Sequence, residues 1–302
     1  MTAKGLGSRT VSIAVAALLS AGPAWGQAAD DPGGAARYRR GAYLFKAAGC
    51  AVCHTDVEHG GPALGGGRAL KTDYGTFYTP NISPDPKYGI GRWSDADFLK
   101  ALRKGVSPSG DDYYPVFPYT AFTRLTDADI LDIKVYLFAQ APVPKRNLDH
   151  DLDFPFSLRL TLIPWKILYF REGVLQGNPQ RSEEWNRGAY LVTAVVHCGE
   201  CHTPRNSLGA PIKSRGFAGV VDGPGGMNAP DITPHANALE SWSSEDIVTL
   251  LKDGITPDGD FVAHEMRDVV ADMADLSDAD RHAIAVYIKA LPPKPPPPKV
   301  NR

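Results

Sequence analysis

The sequence predicts an all-α chain in which one unit is used twice, and three observations predict it. All four cysteines fall in two copies of a five-residue pattern, Cys50-Ala51-Val52-Cys53-His54 and Cys198-Gly199-Glu200-Cys201-His202. The segments around those copies recur in the same order, offset by 147 to 151 residues. The recurring segments carry helix-start signals and apolar residues three and four apart, with long loops between them.

The N-terminus comes first. Lys4 and Arg9 make a positive start, Val11 to Leu19 is apolar, and Ala24-Trp25-Gly26 offers small residues for cleavage, so residues 1–26 read as a signal peptide. A retained anchor is the competing reading, but the apolar run reaches barely half of the roughly 20 residues a membrane span needs. Cleavage leaves 30 basic against 34 acidic side chains. Basic residues are dispersed, which excludes a nucleic-acid partner. No later run of 18 apolar residues follows, so the mature chain is expected to be periplasmic, soluble or peripheral to the membrane.

The first unit, residues 36–142, opens with Arg40-Gly41-Ala42-Tyr43-Leu44, which returns as Arg187-Gly188-Ala189-Tyr190-Leu191 in the second unit, residues 185–292. Thr79-Pro80-Asn81-Ile82 is echoed by Ala229-Pro230-Asp231-Ile232, and Trp93-Ser94-Asp95-Ala96-Asp97 by Trp242-Ser243-Ser244-Glu245-Asp246. Leu125-Thr126-Asp127-Ala128-Asp129 and Leu276-Ser277-Asp278-Ala279-Asp280 open the last helix of each unit. Ser94, Ser243, Thr126 and Ser277 are caps, each with an acid three residues on that suits the helix dipole. Ile284, Tyr287, Ile288 and Leu291 make one apolar stripe for the core.

Residues 143–184 match neither unit. Their apolar stretch, Leu158 to Phe170, reads as packing across the seam between units or as a docking face for a partner or a membrane surface. Residues 293–302 are a proline-rich tail, expected to be extended.

The cysteine pattern is a covalent c-type haem site. Two thiols three positions apart can add to the two vinyl groups of one porphyrin, and the adjacent imidazole then reaches the iron. Two such sites imply two covalently bound haem c groups, held by Cys50, Cys53, His54, Cys198, Cys201 and His202. A shared four-thiolate zinc site is the alternative, yet 144 residues separate the pairs where zinc ribbons use roughly 15–20. Disulfides or redox pairs leave the two histidines unexplained. Bacterial haem attachment takes place outside the cytoplasmic membrane, which agrees with the signal peptide.

His54 and His202 are therefore the expected proximal iron ligands. Each needs a carbonyl for its second ring nitrogen, and Pro62 and Pro211, 149 residues apart, are the expected acceptors. On the opposite face a methionine thioether raises the potential and marks an electron-transfer haem. The mature chain holds only Met227, Met266 and Met273, all in the second unit. Met266, in the loop before the last helix, is the expected ligand, with Met227 in reserve. The same offset carries Met266 onto Phe117, which cannot bind iron. The first haem is then five-coordinate, water-bound, or bound by His59, His150, Lys71, Lys104, Tyr113, Tyr114 or Tyr119.

Taken together, Arg-Gly-Ala-Tyr-Leu, Cys-x-x-Cys-His, Thr-Pro-Asn-Ile, Gly-x-Trp-Ser and the closing Leu-x-Asp-Ala-Asp resemble the cytochrome c subunits of membrane-associated bacterial alcohol and gluconate dehydrogenases. The likeness covers residues 36–292 and is most specific over Glu184–Leu191 and His197–Asn206. It implies two tandem class I cytochrome c-like domains, each enclosing one haem. It also implies a periplasmic dehydrogenase subunit as electron donor and a quinone, another cytochrome or an oxidase as acceptor. Such a subunit need not itself transform a substrate. Those subunits often carry three haems, and they carry methionine where Phe117 stands. The alternative is a dihaem redox enzyme, peroxidase-like or thiosulfate dehydrogenase-like, working through an open first haem; it lacks an evident acid–base pair beside Phe117.

Overall fold

The computed structural model describes residues 1–2, 32–263 and 265–294; the predicted signal peptide, apart from its first two residues, and tail residues 295–302 lie outside the described residues. Helix α1 (Pro32–Ala47) leads into the first cysteine motif, which forms α2 (Cys50–His54). Strands β1 (Ala69–Thr72) and β2 (Gly75–Tyr78) follow, then α3 (Asp95–Lys104), α4 (Tyr119–Phe122) and α5 (Asp127–Phe138). Next come β3 (Asp151–Leu152) and α6 (Leu162–Tyr169). The second half runs α7 (Glu183–Tyr190), α8 (Gly199–His202) in the second motif, α9 (Ser244–Asp253), α10 (Glu265–Met273) and α11 (Asp278–Lys289).

The repeat is physical as well as textual. Ser94 and Ser243 each close a capping box: the serine hydroxyl accepts the N–H of Asp97 or Asp246 at 3.1 Å, and that aspartate accepts the serine N–H. Thr126 and Ser277 accept the N–H of Asp129 and Asp280. Each cap contributes about 1 kcal/mol. Helix α1 packs on α5 and α7 on α11. At both crossings the glycine of Arg-Gly-Ala-Tyr-Leu allows the contact: a Cβ would stand 1.9 Å from the carbonyl oxygen of Asp132 at Gly41 and of Ala283 at Gly188. No other residue type fits there.

One apolar cluster spans both halves, with Leu44, Leu125, Ile130, Leu191, Val192, Val195 and Ile284 almost wholly buried. Ile284 and Ile288 of the predicted stripe lie inside it. The chain is mostly α, but the all-α expectation omits a small antiparallel sheet, β1-β2-β3. A two-residue turn at Asp73-Tyr74 brings Thr72 opposite Gly75. The Thr72 hydroxyl donates to the Gly75 carbonyl at 2.8 Å, and Thr76-Phe77-Tyr78 supplies the strand-favouring side chains.

The apolar stretch after residue 143 is partly packed inward and partly exposed. Inward, Leu162 packs with Phe77 and Tyr114 of the first half, and Trp165 Nε1 donates to the Leu208 carbonyl of the second at 2.8 Å. Outward, Phe154, Leu160, Ile163, Ile167 and Leu168 are half or more exposed. Among the described residues no helix is long and apolar enough to cross a membrane.

Candidate haem sites

Each motif is one short helical segment, so residues three and four apart share a face. Both cysteines and the histidine are thereby collected on one side. The histidines are held alike: Nδ1 of His54 lies 2.7 Å from the Pro80 carbonyl, and Nδ1 of His202 lies 2.7 Å from that of Pro230. A carbonyl can only accept, so Nδ1 carries the proton and Nε2 keeps a free lone pair. Burial lowers both imidazole pKa values, which favours this neutral form.

The expected acceptors Pro62 and Pro211 are displaced by Pro80 and Pro230. The Pro62 carbonyl closes a turn onto Gly65, and Pro211 bridges to Arg205. Two proline pairs recur at almost one spacing, and spacing alone does not say which loop folds back under the histidine. The signal was nevertheless in the repeat, since Pro80 and Pro230 sit inside its longer conserved phrase.

None of the four cysteines is in a disulfide. Burial pushes the thiols of Cys50 and Cys198 up to about 12 and that of Cys201 to about 11, and raises Cys53. Cys53 and Cys201 nevertheless keep open surface. Among the described residues no group of three His, Cys, Asp or Glu is gathered to hold a bare ion. The residues present fit a covalently attached haem in each half.

Met266 and Phe117 both pack, partly buried, against the cluster on which Cys50 and Cys198 also pack. Met273 is 1% exposed and lies inside the core. Met227 belongs to the turn in which Gly223 donates to its carbonyl at 2.8 Å, outside that cluster. Of the three methionines, Met266 is thus the one at the edge of the shared core with surface to spare.

Beyond the connector, the repeated phrase itself builds the seam between the halves. Arg40 pairs with Asp129 of its own half and Arg187 with Asp280 of its own. The tyrosines of the same repeated phrase cross over: Tyr43 donates to Asp280 at 2.5 Å, and Tyr190 donates to Asp129. The N–H of Ser277 and of Thr126 complete the exchange onto the same hydroxyls. The two halves thus meet as a self-complementary pair would, about a pseudo-two-fold axis. Burial alone raises Asp280, but hydrogen bonds from Arg187 and Tyr43 outweigh it and hold its carboxyl below the usual value.

This seam brings the motifs together. His197, beside Cys198, takes a left-handed φ of 48°, where the first half has Gly49 at 61°. Its Nε2 lies 3.3 Å from the carbonyl of Ala48, two residues before Cys50, and its ring packs on Phe122. Thr120 donates to Glu200 of the second motif at 3.0 Å.

Comparison with known proteins agrees with this geometry. The Cytochrome c family model matches residues 38–139. A diheme cytochrome c-type protein of Cereibacter sphaeroides is 46% identical over 257 residues, covering 84% of this chain and 85% of that protein. The fructose dehydrogenase cytochrome subunit of Gluconobacter japonicus is 38% identical over 262 residues, 84% of this chain and 52% of that subunit. The cytochrome c subunit of the quinone alcohol dehydrogenase of Gluconobacter oxydans is 38% identical over 287 residues, 92% of this chain and 58% of that subunit. The chain spans little more than half the length of these two dehydrogenase subunits.

Proposed function

Since this chain belongs to the dihaem c-type cytochromes, we propose that it is the electron carrier of a periplasmic dehydrogenase, delivering electrons to a quinone, another cytochrome or an oxidase. Covalently bound haem c supplies one-electron redox chemistry, and everything else is work for the protein. In this reading Cys50 and Cys53 anchor the first haem and Cys198 and Cys201 the second, in tandem units of residues 36–142 and 185–292. Residues 143–184 are the connector that braces them. His54 and His202 offer Nε2 as proximal ligands, with the Pro80 and Pro230 carbonyls fixing tautomer and ring orientation. Met266 offers its thioether to the second haem, which favours the reduced state there and makes it the exit.

The observation that carries the relay is the seam. Reciprocal Tyr43–Asp280 and Tyr190–Asp129 bonds hold the two motifs side by side, with His197 against Ala48. A relay needs such fixed proximity between its two centres. The relatives named as cytochrome subunits of fructose and alcohol dehydrogenases support a dehydrogenase donor and do not favour the peroxidase-like alternative. The exposed apolar face of α6 supports peripheral contact with that partner or with the membrane.

Redox titration of the purified holoprotein tests the reading. Two haems per chain and two one-electron steps are expected, with a dehydrogenase recovered alongside the affinity-tagged protein from the periplasmic face. One haem per chain, or peroxide turnover by the isolated protein, overturns it.

A further inference from the structure

The distal loops of the two halves correspond turn for turn. Gly105 and Gly254 end α3 and α9 by donating to Ala101 and Leu250. Bridges join Val106 to Asp112 and Ile255 to Phe261. The N–H of Tyr113 then reaches the Gly105 carbonyl, as that of Val262 reaches Gly254. The offset of 149 thus holds in three dimensions as far as Tyr113 and Val262, and four residues further along the sequence stand Phe117, ahead of α4, and Met266, in the first turn of α10.

The Phe117 ring has no lone pair, and it is held in place. Tyr113 meets it edge-on at 5.7 Å, and Phe122 at 5.8 Å and Tyr119 at 6.3 Å lie tilted against it. The side chains that could replace methionine are engaged elsewhere. His59 pairs with Asp56 just after the proximal motif and is largely exposed. His150 accepts the Tyr78 N–H and packs between Phe77 and Tyr114, beside a separate apolar cluster. Lys71 is exposed on β1, and Lys104 is exposed beside Glu172. The Tyr114 hydroxyl donates to the Phe156 carbonyl. The Tyr119 ring is wholly buried among Trp165, Phe170 and Ala210 with the Lys166 ammonium over its face, and its hydroxyl, which makes no hydrogen bond, is enclosed with it there. The Tyr113 ring stands edge-on against Phe117 and packs on the Tyr119–Trp165 cluster, and burial also raises its phenol pKa.

We propose that the first haem has no side chain as its sixth ligand, and that Phe117 leaves there a binding position for a small uncharged diatomic molecule such as CO or NO. The inference rests on the two-haem reading above. The rings packed around Phe117 select the ligand class, because an anion would have to shed its water among aromatic faces. Binding is simple coordination: the ligand donates a lone pair to ferrous iron and nothing is oxidised or reduced.

CO titration of the reduced holoprotein, with haem counted independently, tests this. One CO per chain of two haems is expected, rising to two in M266A. F117M should take none and gain a second methionine-to-iron charge-transfer band. F117L, which offers no ligand and keeps an apolar side chain, should still take one. A chain that counts two haems yet takes no CO, or takes two without mutation, overturns the proposal and leaves the two-haem reading standing. A count of one haem removes the reading on which it rests.

Discussion

The two halves differ least beneath the histidines and most above them. Below, His54 and His202 share one geometry to the tenth of an ångström, and the same glycine crossing and capping boxes build each motif's support. Above, α4 is four residues long and follows Phe117, whereas α10 is nine residues long and contains Met266. On the proposed reading, attachment and orientation come from the matched scaffold, and the difference between the sites is confined to the segment that carries Phe117 in one half and Met266 in the other. Two sites anchored identically need not have the same redox chemistry.

The largest break in the comparison comes from removing one anchor. C198A/C201A should lower the haem content from two per chain to one and leave the first site loaded, as read by haem staining and absorbance of the unfolded protein. Next is the seam. D280A removes the acceptor of Arg187 and Tyr43 and should cost about 2–3 kcal/mol in denaturant unfolding; the value lies below the fully buried range because Arg187 keeps about a third of its surface. The same carboxyl gives a pH dependence. Its folded pKa is depressed, so its stabilising contribution is present above the ordinary carboxylate value and is lost as pH falls through the folded pKa. Wild type should therefore lose stability in acid more steeply than D280N.

Met266 sharpens the contrast rather than breaking it. M266A should lower the potential of the second haem and erase the methionine-to-iron band, with the first haem unmoved; survival of the band would transfer the ligand to Met227. The smallest effect belongs to the crossing tyrosines. Y43F and Y190F each leave packing intact and remove one hydroxyl, so each should cost about 1 kcal/mol. Y43F takes a donor from Asp280 and Y190F takes one from Asp129. Equal losses would express the pseudo-symmetry of the seam directly.

Much of this was readable in the chain itself, and for identifiable reasons. The haem motifs, the helix caps at Ser94, Ser243, Thr126 and Ser277, and the contrast between Met266 and Phe117 are all local or repeat-borne signals. Pro80 and Pro230 were hidden because their role depends on how a loop returns beneath the histidine. The seam was hidden for a related reason. Tyr43 and Tyr190 look like core residues of their own helices, and only the packing of one half on the other sends each hydroxyl across to the opposite aspartate. His197 offers a similar case, since its contact with Ala48 joins residues 149 apart. The hairpin at Asp73-Tyr74 is short enough to pass for loop in a helical chain.

Low-temperature EPR of the fully oxidised protein tests the central contrast most directly. Equal amounts of one low-spin signal, from the site facing Met266, and one high-spin signal, from the site facing Phe117, are predicted. Two low-spin signals of equal weight would show that both haems are six-coordinate with strong ligands and would contradict the account.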